Sequence, residues 1–397
     1  MAEISSLQCS GCNAHCSATE SLCPRCGDWL YVRYDLTALR RTFRGALPPM
    51  PRPGMWRFAA LLPDAPPVTL GEGATPLLPS RDNPKLLIKN EGINPAGSVE
   101  ARGLSLAVTM ASAAGQKQLA IASTGNGAGA LAAYAAAAGS QANIFMPGNA
   151  SPAAQVLAES HGARITRVQG TIGDGARLLG ESKRSEGWLD LSAFQEPFRL
   201  EGKKTLVFEI AEQLAWTLPA AIVYPTALGS GPIALWKGLE EMDQFGWLPA
   251  GSPRPKMILV QPAGCAPIVQ AWEQGQAVAS LETTGGEMRA PGSPGSRAAL
   301  DLLHRSGGAA VAVSDDEILD AWRTWSRREG LLAAPAGAMA LAGYRKLLHR
   351  GFLSAEETTI LVNTASGYAY IDTMAAWNLP PKDRPGLRRI GGIIQPY

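Results

Sequence analysis

The sequence predicts an α/β fold with a small cysteine-rich module at its N-terminus. Three observations carry that reading. Between Lys85 and Asn363, short apolar runs alternate with helical segments, and glycine-rich turns follow several of those runs. Five of the six cysteines fall within the first 26 residues. Alternation of this kind means parallel sheets covered by helices on both faces.

Cys9-Ser-Gly-Cys12 and Cys23-Pro-Arg-Cys26 are two C-x-x-C knuckles. Each presents two thiolates on one tight turn, and two facing knuckles close a tetrahedral site of the structural zinc kind. Cys9, Cys12, Cys23 and Cys26 are therefore the candidate metal ligands. A redox C-x-x-C is a single pair opening a helix in a βαβ unit, and neither knuckle has those surroundings. Cys16 is spare, and His15 beside it competes as a ligand. Four thiolates leave no open position, so this zinc is expected to fold a ribbon at residues 1–30 and not to catalyse.

A proline-rich connector (LPPMPRP, 47–53) and a weakly periodic segment follow. Strands are expected at 86–89, 119–123, 143–146, 164–168, 221–224, 257–261, 311–313 and 359–363. Helices are expected at 125–138, 153–161, 173–185, 202–216 and 233–245. Ser314-Asp-Asp-Glu317 has the form of a capping box opening one more helix. Ligands of such folds bind at the carboxyl ends of strands, where a turn leads into a helix. The proline-rich, basic tail at 380–397 is expected to wrap over its own or a neighbouring subunit's surface.

Composition narrows the partners. Of the 397 residues, 46% are apolar and 18% charged, which is globular material with enough core. A net charge of +2 gives no electrostatic case for nucleic acid or an anionic membrane. No apolar run is long enough to cross a bilayer. The N-terminus lacks a basic segment followed by an apolar one, so the expected location is the cytoplasm.

The turn Ser123-Thr-Gly-Asn-Gly127 joins a strand to a helix, and N–H groups at a helix start favour an anion. Ser123, Thr124 and Asn126 add side-chain donors. Gly125-x-Gly127-x-x-Ala130 matches a dinucleotide fingerprint, which also needs an acid at the end of the next strand. That strand reads Asn143-Ile-Phe-Met-Pro-Gly148, without one, so NAD is not expected.

Seven segments in order resemble the threonine synthase family. They are Gly71-Glu-Gly-Ala-Thr-Pro-Leu77, Asn94-Pro-Ala-Gly-Ser98, Ser123-Thr-Gly-Asn126, Glu201-Gly-Lys-Lys-Thr205, Tyr224-Pro-Thr-Ala-Leu-Gly-Ser-Gly231, Gly264-Cys-Ala-Pro-Ile268 and Asn363-Thr-Ala-Ser-Gly367. The resemblance implies fold type II, the tryptophan synthase β-like architecture, with pyridoxal phosphate in a cleft between two α/β domains. On that pattern the larger domain takes 31–103 and 200–397 and the smaller one 104–199. It also implies lyase-type chemistry and a homodimer. Ligand-binding roles carry over onto Ser98, Arg102, Ser123, Thr124, Gly125, Asn126, Gly229, Ser230, Gly231, Thr364 and Ser366.

The departures concern the cofactor. Where the family has NPTGSFKDRG or NPTGSFKARG, with its lysine forming the Schiff base, this chain reads Asn94-Pro-Ala-Gly-Ser-Val-Glu-Ala-Arg-Gly103. Glu100 replaces the lysine, and a carboxylate cannot form an imine. Leu228 interrupts the glycine-rich phosphate loop. Ala334-Pro-Ala-Gly337 stands where the family has APEG, and Ala365 replaces a glycine in the last motif. Glycines in the phosphate loop let backbone N–H groups approach a phosphate closely.

With the anchor gone, the leading expectation is an enzyme independent of pyridoxal phosphate. Glu100 would sit partly desolvated on the cleft floor, its pKa raised, as the acid or base for elimination, isomerisation or cyclisation. Its substrate would be a small amino-acid-like or phosphorylated acid. A second reading is a non-catalytic binding or regulatory descendant, since fold does not fix function. A third is a lyase or synthase that uses pyridoxal phosphate through Lys89, Lys203 or Lys204. The plain structural role for Glu100 is a carboxylate paired with Arg102 or another cation. Cys265 reads as a small buried apolar residue.

Overall fold

The computed structural model describes residues 4–43, 53–148, 150–275, 295–378, 388–390 and 393–395. Nearly all of the connector at 47–53 and most of the tail at 380–397 lie outside them.

The N-terminal module is a three-stranded antiparallel sheet. Its strands β1 (Ile4–Cys9), β2 (His15–Cys16) and β3 (Leu30–Tyr34) lie in the order β2-β1-β3. In β3 the side chains alternate, with Leu30, Val32 and Tyr34 buried and Tyr31 and Arg33 half-buried. The sheet therefore runs four residues past the expected end at residue 30. Leu7, Leu30 and Val32 share one apolar cluster with Leu206, Phe208, Leu235 and Leu239 of the larger domain. Helix α1 (Leu36–Phe43) follows.

The chain then lays down β4 (Leu77–Pro79), β5 (Leu86–Asn90) and helix α2 (Glu100–Ala113). The smaller domain alternates β6 (Gln118–Ala122), α3 (Asn126–Ala137), β7 (Gln141–Pro147), α4 (Pro152–Ser160), β8 (Arg164–Val168), α5 (Ile172–Glu186) and β9 (Leu189–Asp190). Its four strands are parallel in the order β8-β7-β6-β9. A buried cluster of Leu104, Ile121, Leu131 and Ile144 fills one face, and Phe145 and Leu179 pack on the other.

The chain continues with α6 (Phe198–Gln213), β10 (Ala221–Pro225), α7 (Ser230–Phe245), β11 (Lys256–Pro262), α8 (Pro267–Gln274) and α9 (Ser296–Ser306). It continues through β12 (Ala309–Val313), α10 (Asp315–Thr324), α11 (Pro335–His349), β13 (Thr359–Asn363) and α12 (Ile371–Asn378). A short antiparallel pair, β14 (Arg388–Ile390) and β15 (Ile393–Gln395), closes the described chain. The main sheet has the order β12-β11-β10-β13-β5-β4, parallel except for the edge strand β4. Every residue of β10 and β13 is buried, as expected of central parallel strands. The expected capping box is present at α10, where Ser314 and Glu317 satisfy each other's backbone N–H groups.

Two differences from the sequence reading matter for the cleft. Helix α6 begins at Phe198, four residues before the expected 202, because the Glu196 carboxylate accepts N–H bonds from Phe198 and Arg199. Helix α7 begins at Ser230, three residues before the expected 233, because Gly229 takes a left-handed turn (φ 89°). The added turns carry Arg199 and Ser230.

Helices α2 and α6 cross at two glycines. A Cβ on Gly202 would lie 2.1 Å from the Arg102 carbonyl oxygen, and one on Gly103 would lie 2.9 Å from that of Arg199. Only hydrogen at both positions permits this backbone approach. The crossing brings the first turn of α2 against the first turns of α6.

Candidate functional site: a cleft at the carboxyl ends of two sheets

The cleft forms where the turn after β10, the turn after β13 and the starts of α2, α3 and α7 meet. A cavity of about 190 Å³ there is lined by Glu100, Asn126, Arg199, Lys203, Tyr224 and Ser230, among others. Its location follows the rule for open α/β sheets. The loop before α2 is held against the turn after β13, since Val99 N–H donates to Thr364 O (2.9 Å) and Ser366 N–H to Gly97 O (2.8 Å).

Glu100, the first residue of α2, makes the cleft's central ion pairs. Its Oε1 lies 2.7 Å from Lys203 Nζ, and its Oε2 accepts from the Arg199 guanidinium. Arg199 and Lys203 are one turn apart on α6, so both side chains leave the same face. Lys203 Nζ also lies 3.4 Å from Ser230 Oγ, at the start of α7. Burial alone pushes the Glu100 carboxyl upward, but Lys203 and Arg199 together outweigh it and bring the pKa down to about 2. The expectation of a raised pKa at Glu100 is thus corrected: the residue is a fixed carboxylate at neutral pH. Its partners are Arg199 and Lys203, not Arg102.

The expected ligand-binding residues divide into two groups. Asn126, Ser230, Gly231 and Thr364 line the cavity with Glu100. Ser98, Gly125 and Gly229 are next to lining residues in the chain and Ser123, Thr124 and Ser366 lie two or three residues from one, but none of the six is in the wall. Ser123 Oγ accepts N–H bonds from Gly125 (3.3 Å) and Ala128 (3.1 Å), which caps α3. Ser366 Oγ accepts from Tyr368 N–H (3.3 Å). Ser98 is fully buried, and its Oγ has no partner among the described residues. Arg102 lies deeper, fully buried between Glu91 (2.7 Å) and Glu209 (3.1 Å). There it belongs to a structural ion network.

Two of the three candidate lysines are spent in the interior. Lys89 Nζ is bound to Glu209 (2.6 Å), Gln213 (2.8 Å) and the Thr75 carbonyl (2.7 Å). Lys204 Nζ is bound to Glu201 (2.5 Å) and Glu241 (2.6 Å). Lys203 alone of the three lines the cleft. Burial lowers its pKa most, Glu100 opposes that, and the neighbouring Arg199 adds to the lowering.

Arg199, Tyr224 and Glu196 are residues that the sequence reading does not single out. Arg199 precedes the Glu201-Gly-Lys-Lys-Thr205 motif by two residues, and extending α6 by one turn would find it. Tyr224 opens a quoted motif, and its buried hydroxyl lines the cavity. Glu196 is buried, and that burial pushes its carboxyl up to about 7.

The four cysteines also converge. Cys9 Sγ lies 3.4 Å from Cys26 Sγ, Cys12 Sγ lies 3.6 Å from Cys23 Sγ, and all four sulfurs fall within 4.8 Å of one another. Zinc–sulfur bonds of about 2.3 Å in a tetrahedron place sulfurs about 3.8 Å apart, so the group fits one zinc. Backbone N–H groups of Gly11 and Cys12 donate to Cys9 Sγ (3.3 and 3.4 Å). Cys16 is not a member of the group, and His15 Nδ1 instead meets Ser6 Oγ (3.1 Å). Cys265 is buried, in keeping with an apolar role.

The architecture and cleft define a fold-type II enzyme scaffold. A model of the pyridoxal-phosphate dependent enzyme family matches residues 68–365. Threonine synthase of Methanosarcina acetivorans is 35% identical over 372 residues, covering 90% of each chain. That of Methanocaldococcus jannaschii is 32% identical over 362 residues, covering 86% of this chain and 87% of its own. Among solved structures, an L-serine ammonia-lyase from Rhizomucor miehei superposes with a TM-score of 0.64 at 21% identity, covering 74% of this chain and 93% of its own. The chain belongs to the pyridoxal-phosphate dependent enzyme family, as a threonine-synthase-like member. No helix among the described residues is long and apolar enough to cross a membrane.

The family cofactor and this cleft disagree. Residue 100 is a carboxylate bound to both cations that line the cleft, and a carboxylate cannot form an imine. Leu228 lines the cavity within the turn that leads into α7. The residues present do not fit pyridoxal phosphate held through residue 100.

Proposed function

We propose that this threonine-synthase-like protein binds a small, anionic, amino-acid-like ligand in its cleft, independently of a Schiff base at residue 100. The observation that carries the reading is the trio of Glu100, Arg199 and Lys203. One carboxylate between two cations leaves a net positive charge in a largely desolvated pocket. The starts of α3 and α7 add N–H groups around it, and an anion is the complementary guest. Glu100 orients the two cations and does not shuttle protons, because its proton is lost far below neutral pH. Asn126, Ser230 and Thr364 supply uncharged donors for the rest of a short ligand. The thiolate cluster holds a structural zinc, and a homodimer is the expected assembly.

The test is spectroscopic and calorimetric. The purified protein, with and without added pyridoxal phosphate, should show no visible aldimine band that borohydride fixes to the chain. Titration with serine, O-phosphoserine and lactate should give saturable heat for at least one of them. No binding across that panel overturns the reading.

A further inference from the structure

We propose that Lys203 is a carbonyl-capturing amine, forming an imine with a small α-keto acid in the cleft. This deepens the binding role proposed above and rests on it. Lys203 is the one lysine lining the cavity among the described residues, and its side chain is 4% exposed. Lysines become nucleophiles when desolvated or placed beside another cation, and Lys203 meets both conditions, with Arg199 sharing the same carboxylate.

The neighbours suit the product as well as the reactant. An imine formed here is protonated, and Glu100 Oε1, 2.7 Å from the nitrogen, is its counter-ion. Tyr224 has a buried hydroxyl on the cavity wall, its pKa pushed well up by burial and by Glu100, so it stays an O–H donor. Arg199 has an Nε–H without a partner among the described residues, and its guanidinium suits the acid's carboxylate.

The step balances without a co-reactant. The Lys203 ammonium first releases its proton to solvent. The neutral amine adds to the ketone carbon, and the carbonyl oxygen becomes the carbinolamine hydroxyl. That hydroxyl leaves as water with a proton delivered by way of Tyr224, and the carbon–nitrogen double bond forms. The proton passed through Tyr224 is taken back from solvent, so the net change is lysine ammonium plus ketone to protonated imine plus water.

Borohydride trapping tests it on the full chain. With millimolar pyruvate, and separately glyoxylate, reduction should attach one adduct per chain, mapped by peptide mass spectrometry to Lys203. Lys203→Arg keeps the positive charge beside Glu100 but cannot form the imine, and the adduct should fall at least tenfold. Circular dichroism and the melting temperature check that this variant is folded. Pyruvate adducts spread over surface lysines, or unchanged in Lys203→Arg, overturn the proposal. Lactate, which has no carbonyl, separates the two claims by calorimetry. Lactate binding without a Lys203 adduct defeats the imine alone, and absence of binding by lactate, serine and O-phosphoserine alike defeats the underlying reading.

Discussion

Glu100 at the start of α2 and Lys203 in the second turn of α6 face each other across a glycine–glycine helix crossing, 2.7 Å apart. A carboxylate on one helix and an amine on the other thus form a buried ion pair in the wall of the cleft.

That pair has a pH signature. The Glu100 pKa falls from an ordinary 4.5 to about 2 on folding, so its contribution is fully present above pH 4.5 and is lost as pH falls toward 2. The shift corresponds to at most roughly 3 kcal/mol. Glu100→Gln should therefore destabilise the protein by about 2 kcal/mol at pH 7, and the gap to wild type should shrink to roughly a quarter of that by pH 2.5. Urea unfolding at the two pH values measures both. A gap that persists in acid would mean that Glu100 acts through packing.

The helix crossing makes a sharper demand. In Gly202→Ala the new methyl would sit 2.1 Å from the Arg102 carbonyl oxygen, a backbone atom that cannot swing aside. Separating α2 from α6 also pulls Glu100 away from Arg199 and Lys203. Overpacking of this kind costs about 3 kcal/mol or more. Thermal unfolding should show a fall of at least several degrees, and ligand heat should weaken in parallel. An unaffected melting temperature would contradict the close approach.

The alternation of strands and helices was legible because central parallel strands are short, apolar and bounded by turns, as in 221–224 and 359–363. Helix α2 was not, because Glu100–Ala113 is buried on nearly every side and shows no amphipathic stripe. The identity of residue 100 was legible from one motif, but its ionisation was not. Burial argues for a raised pKa, and only the fold brings Arg199 and Lys203 a hundred residues back to reverse it. The role of Arg102 was hidden likewise, since its carboxylate partners Glu91 and Glu209 lie eleven and over a hundred residues away.

The ribbon is tied to the same helix. Tyr34 at the end of β3 donates to Glu201 Oε2 (2.7 Å), which also binds Lys204, while Glu201 Oε1 meets Lys237 (2.7 Å). Removing one hydrogen bond to a charged group costs about 1.5–3 kcal/mol. Tyr34→Phe should lose that much. Lys237→Met, which leaves Glu201 and Glu241 short of a cation, should lose about 3–5 kcal/mol. Chemical denaturation ranks the two, and the reverse order would mean that the ion cluster tolerates the loss of Lys237 better than that of the tyrosine.

Zinc removal should therefore reach beyond the ribbon. The purified protein should contain one zinc per chain by elemental analysis, and Cys9→Ser or Cys23→Ser should lose it. Once the knuckles open, β1 and β3 lose their fixed register, and Leu7, Leu30 and Val32 leave the cluster they share with α6 and α7. Burying three such side chains is worth about 1.5–3 kcal/mol each, so their withdrawal is a large part of ordinary stability. Treatment with a strong chelator should lower the melting temperature by ten degrees or more. Because neither Tyr34 nor the ribbon's Leu7, Leu30 and Val32 line the cavity, ligand binding should weaken rather than vanish in chelated protein at temperatures where it stays folded. Zinc content below one per chain with an unchanged melting temperature would mean that the four thiols hold the ribbon without metal.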